Sequence, residues 1–215
     1  MNAPATVRLT ADEIKPTVWQ LLADGVRTPA NDAHWPMFAT TEINERTAPA
    51  SANIRTVALR AADGFNPAAT TIAVTRIEGV TRIAVAPANG GSLIAGQGFI
   101  ANTSGRTGSI SDERAFIYID MGEGGAGLAG GSRPAAWAAL RGAFADARGY
   151  PARFMAHNEG DTLTRADAQA FGAAVRGQQL ILVSAHRASD LRLIMDLKTE
   201  NPNLDLAIVG ADEGW

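Results

Sequence analysis

In the second half of the chain, short continuous apolar runs alternate with stretches in which apolar residues recur every three or four positions. "QLILVSA", ending at Ala185, and "LDLAIVG", ending at Gly210, are strand-length and carry continuous apolar runs. Between them "ASDLRLIMDLKTEN" has helical spacing and stops before Pro202. Upstream, "RPAAWAALRGAFADARGY" sets Trp137, Leu140 and Phe144 on one helical face. "LTRADAQAFGAAVRG" opens on Thr164 as N-cap with Asp167 three residues on, close to a capping box, and ends at Gly177. "VTRIAVAP", "FIANT" and "RAFIYIDM" read as strands, and "ANGGSLIAGQG" as a glycine-rich turn after Pro87. "NPAATTIAVTRIEG" predicts a helix with Asn66 as N-cap, Pro67 at its first position and Gly79 as its stop.

Strands alternating with helices of this length predict βαβ units, a parallel sheet and an α/β fold. Parallel strands are covered on both faces, which explains two strands with continuous apolar runs. Residues 1–60 show little pattern. There only Asp12 to Ala23 suggests a short helix, with Pro16 confined to its first turn.

Composition narrows the function more than the fold. At 215 residues, 46% hydrophobic and 19% charged, the chain has the make-up of one large or two small globular domains. A net charge of −3 with scattered arginines argues against a nucleic-acid binder. With no cysteine, disulfides, thiolate metal sites and a cysteine nucleophile are excluded, although the compartment stays open. The first residues, "MNAPATVRLTADEIKPTVW", lack the pattern of a signal peptide, and no apolar run is long enough to span a bilayer.

Candidate chemistry gathers where strands end. Gly122, Gly124 and Gly127 in "GEGGAG" match a dinucleotide fingerprint, but "LAGGSRP" stands before the next expected helix, which favours a loop. His186 follows an apolar strand directly, a position that lines the ligand crevice in parallel α/β folds or caps the neighbouring helix. Asp212 and Glu213 follow the next strand in the same way, either as proton-transfer groups near His186 or as an acidic pair at a helix start. Ser184 has His186 two residues on, but no G-x-S-x-G elbow accompanies it. His34, His157 and His186 show no metal-ligand spacing among themselves, and His157 sits in the polar loop "FMAHNEGD".

Five stretches in order resemble the amidohydrolase superfamily in its imidazolonepropionase-like branch. They are "GFNPAATTIAVTRIEGVTRIAVAP", "GGSLIAGQG", "GGSRPAAWAALRGAFADAR", "RGQQLILVSAHRASDLR" and "LDLAIVGADEGW", with "NDAHWPMF" as a further match near the first barrel strand. The resemblance implies a metal-dependent (β/α)8 TIM-type barrel. Residues 61–215 would form a partial barrel that stops after about strand six, and residues 1–60 an N-terminal segment of uncertain organisation. It implies zinc or another divalent metal, yet the positions matching the family's ligands read Pro36 (after His34), Ser184 and Gly210. Metal ligands are therefore expected to be none. The implied activity is hydrolysis of amide or cyclic-amide C–N bonds by an incomplete or degenerate relative, with His186 and Glu213 moving protons and Gln97 and Asn66 touching a small amide substrate. The relatives it most resembles are exported. The rival expectation is a non-catalytic binding or interaction protein on the same scaffold, and a weaker one is a nucleotide-binding oxidoreductase through "GEGGAG".

Overall fold

The computed structural model describes residues 57–87, 91–157 and 160–214, so the expected helix at Asp12 to Ala23, His34 and Pro36 lie outside the described residues. Five strands form one sheet in sequence order: β1 (Arg82–Val85), β2 (Ile94–Asn102), β3 (Ile110–Asp120), β4 (Leu180–Ala185) and β5 (Leu206–Gly210). The sheet curls into a half-barrel. Strands β3, β4 and β5 are parallel, as predicted, with Asp120 beside Ser184 and Ala185 beside Gly210. The pairings β1/β2 and β2/β3 are antiparallel, which corrects the expectation of a purely parallel sheet. Among the described residues no helix joins these three strands, and short returns of this kind make antiparallel neighbours.

The second part of the glycine-rich segment read as a turn, residues 94–98, is instead the first half of β2. Two glycines are used structurally there. A Cβ at Gly98 would overlap the Phe116 ring, and Gly96 has φ +129° at a register shift. The shift bends the strand, as β-bulges do, and the missing Cβ admits the aromatic ring. Turn-like composition thus marks a curved central strand.

The helices are α1 (Thr70–Ile77), α2 (Glu123–Leu128), α3 (Arg133–Gly149), α4 (Arg165–Val175) and α5 (Ala188–Glu200). Helix α1 begins later than predicted, with Ala69 as N-cap; Asn66 instead accepts from Ala68 N at 3.0 Å in a preceding turn. Pro67 biases Asn66 toward extended backbone and so delays the helix. Gly79 ends it at φ +86°. Helix α3 is capped by Ser132, and Thr164 caps α4 by accepting from Asp167 N. The capping Thr164 hydroxyl also meets the Asp167 carboxylate at 2.6 Å.

The main core lies between the sheet and α3, α4 and α5, where Ile117, Ile119, Ile181 and Val183 meet Trp137, Leu140, Phe171 and Ile194. Phe144 and Phe171 pack edge to face at 5.1 Å. Burying one such ring contributes about 1.5–3 kcal/mol. The other face of the sheet presents Phe116, Leu180, Leu182 and Val209 with no helix residue among them. A buried carboxylate, Asp146, fixes the loop before α4 by accepting from Thr162 N and Leu163 N at 2.8 and 2.9 Å.

Candidate functional site

The parallel strands β3, β4 and β5 all run toward one rim, and side chains just beyond them gather there. Tyr118 and Asp120 alternate onto the same face of β3, and Asp120 lies in register with Ser184. Ser184 and His186, two residues apart, line one cavity of about 380 Å³ together with Asp120, Glu123, Arg133, Arg187 and Asp190.

A tight turn after β5 brings the acidic pair to the histidine. Gly210 has φ +91° and Ala211 φ +54°, both in the left-handed region. Ala211 N donates to Ala185 O at 2.7 Å and Glu213 N to His186 O at 2.9 Å, so the turn folds over the end of β4. Asp212 then meets His186, with Oδ2 2.8 Å from Nδ1. Glu213 points elsewhere: its Oε2 accepts from Ala188 N at 2.9 Å, at the start of α5. There it satisfies one of the helix's free amides and complements the helix dipole. Of the two acids, Asp212 is the one beside the imidazole. The absent side chain at Gly210 matters as well, because a Cβ there would sit 2.5 Å from His186 Cε1.

The cavity's cations are held by carboxylates of the chain itself. Arg133 donates through Nε to the buried Asp190 at 2.9 Å, and Arg187 pairs with Glu123. Glu123 also lies 3.8 Å from Arg133. Burial pushes the Tyr118 phenol above its ordinary value; the hydrogen bond with Ser184 opposes that rise, and the charge of Asp120 adds to it. Tyr118 is therefore a neutral hydroxyl across the physiological range.

The "GEGGAG" stretch, expected as a loop, forms the six-residue helix α2 directly after β3, with Gly122 at its N-cap. The glycines serve packing: a Cβ at Gly125 would collide with the carbonyl of Asp120. Gln97 and Asn66 do not reach this rim. Gln97 is buried beside a different cavity, and Asn66 is occupied in the turn before α1. His157 is exposed, as expected from its loop. Asp120, Arg133, Arg187 and Asp190 escaped the sequence reading. Asp120 carried a usable signal, since it ends the apolar run of β3 as His186 follows that of β4.

Zinc requires three or four nitrogen, oxygen or sulfur ligands. Among the described residues no group of three or more histidine, cysteine, aspartate or glutamate side chains comes together to hold a metal ion. Ser184 and Gly210 occupy the strand-end positions, where neither offers an imidazole, thiolate or carboxylate ligand. The described residues therefore do not fit a zinc site. Among them, too, no helix is long and apolar enough to cross a membrane.

No family model matches the sequence, and no curated protein matches it. A solved structure does resemble the fold: an amidohydrolase from Thermotoga maritima MSB8, with a TM-score of 0.61 and 21% identity over 76% of this chain. The chain spans 45% of that protein's length. The likeness carries the fold alone, and the half-barrel described above has an amidohydrolase as a structural neighbour.

Proposed function

We propose that the half-barrel belongs to a (β/α)8 amidohydrolase-like barrel and that the rim cavity hydrolyses a C–N bond of a small amide. The observation that carries this is the His186–Asp212 pair, 2.8 Å apart, at a cavity on the C-terminal ends of parallel strands. With Nδ1–H donating to Asp212, Nε2 is the basic nitrogen of the imidazole. In the proposed reaction Nε2 takes a proton from water as the water oxygen adds to the amide carbonyl, and Asp212 stabilises the imidazolium. That proton passes to the nitrogen as the C–N bond breaks, giving a carboxylic acid and an amine. Arg133 and Arg187 line the same cavity and would hold a substrate carboxylate or the oxyanion. The finer placement in the imidazolonepropionase-like branch, with cyclic amides as substrates, belongs to this proposal and rests on the five quoted stretches.

A second reading, a binding protein without turnover, has one observation in its favour. Glu123 and Asp190 already engage both cavity arginines. An assay of amine release from N-acyl amino acids, dipeptides and cyclic amides, run beside a measurement of metal content, separates the readings. The proposal expects turnover that a chelator leaves intact and that His186→Gln removes. Saturable binding without amine release would favour the binding protein. Stoichiometric zinc, with turnover abolished by chelation, would overturn the proton-transfer scheme.

A further inference from the structure

A second cavity, of about 480 Å³, lies toward the opposite ends of the parallel strands, where β3 and β4 begin. Its lining includes three arginines, Arg60, Arg114 and Arg176, the amide side chain residue Gln97, and an alanine surface on α4 from Ala166, Ala170 and Ala173. Those alanines recur at helical spacing on the face of α4 that borders the cavity, with Gln169 beside them. Among the described residues no acidic one lines it. Arg114 and Arg176 have no carboxylate partner among the described residues. In this respect Arg114 and Arg176 differ from the rim arginines, which are neutralised internally, while Arg60 is paired with Glu113 and Asp63.

Two buried polar atoms along this lining lack partners among the described residues. Arg60 spends its terminal nitrogen on Glu113 and Asp63, yet its Nε is buried without an acceptor. Gln97 is 3% exposed, and its Oε1 is buried without a donor. A buried polar atom left unpaired costs about 1–3 kcal/mol, so a fold seldom keeps two in one place. One is a donor that calls for an acceptor oxygen, and the other is an acceptor that calls for an N–H or O–H. The surrounding guanidinium charge selects an anion.

We propose that this cavity binds a small carboxylate bearing a hydroxyl or amide N–H on the neighbouring carbon. The carboxylate meets Arg60 Nε and the guanidinium groups of Arg114 and Arg176, and the neighbouring donor meets Gln97 Oε1. The site is independent of the rim reaction, since none of its residues lines the rim cavity.

The test is calorimetric titration of the full chain with lactate and with propionate, which differ only by the hydroxyl. Lactate is expected to bind saturably and about tenfold more tightly than propionate, the worth of one net hydrogen bond. Gln97→Met should abolish that preference while keeping propionate binding. Arg176→Gln, at an exposed position, should weaken both ligands, and His186→Gln should leave both unchanged. Equal binding of lactate and propionate, inorganic phosphate displacing lactate at equal concentration, or no saturable binding would each overturn the proposal. Loss of lactate binding in His186→Gln with retention in Arg176→Gln would move the ligand to the rim site and overturn it as well. If Gln97→Met fails to fold, the comparison of Arg176→Gln with His186→Gln still decides the location.

Discussion

Replacing Arg133 by methionine tests how the rim is held together. Arg133 begins α3 and Asp190 lies in the first turn of α5, so their contact ties two helix starts across the ends of β3 and β4. The carboxylate of Asp190 is 2% exposed and the Arg133 side chain 27% exposed, with Nε and Oδ2 2.9 Å apart. Removing one partner of a buried pair costs about 3–5 kcal/mol, because the other charge is left uncompensated. Two features lower the figure here. The positive end of the α5 dipole offsets about 0.3–1 kcal/mol, and the partial exposure of Arg133 lets water reach the vacated carboxylate. The expected loss is therefore about 2–3 kcal/mol. Asp190→Leu should cost less, since Arg133 can turn toward Glu123 and solvent. Arg133→Met combined with Asp190→Leu should recover about 1–2 kcal/mol relative to the sum of the single changes. Urea unfolding measures all three, with a shifted midpoint and an unchanged slope. A loss below about 0.5 kcal/mol for Arg133→Met, or strict additivity in the double variant, would refute the reasoning.

Three further outcomes follow from the same geometry. The raised pKa of Tyr118 means that its neutral form contributes stability fully below the unfolded value near 10 and loses it as pH rises beyond that point. Tyr118→Phe should flatten the alkaline fall in stability while costing about 0.5–1.5 kcal/mol at neutral pH, both read by pH-dependent denaturation. Gly210→Ala places a side chain at φ +91° and against His186. It should cost at least about 1–2 kcal/mol and lower turnover by displacing the imidazole; unchanged stability and rate would contradict that placement. Glu213→Ala removes an acceptor from the start of α5 and should cost about 0.5–2 kcal/mol with kcat nearly unchanged. A large fall in kcat at wild-type stability would return Glu213 to proton transfer.

The sequence made β4, β5 and α3 to α5 legible because local signals and tertiary packing agree in them. Thr164 caps where its spacing predicts, and the unbroken apolar runs of β4 and β5 belong to parallel strands. The antiparallel part was hidden for a physical reason. Gly96 and Gly98 resemble turn residues, and the bulge and ring contact that use them depend on Phe116, a residue on a neighbouring strand. The rim was half legible. Strand ends pointed to His186 and to the Asp212–Glu213 pair, but the choice between the two acids was made by the backbone of Gly210 and Ala211. Gln97 stood in a stretch whose glycines read as a turn, so its place in β2 and its cavity became visible only with the strand and α4 folded together.

The proposed role of the His186–Asp212 pair is proton transfer during hydrolysis of a C–N bond. Its most direct test is the rate of amine release by His186→Gln compared with the unaltered chain, at matched stability. The account predicts measurable release by the unaltered chain and a fall of about 100-fold or more in kcat in the variant. Release that continues at an undiminished rate in His186→Gln would contradict it.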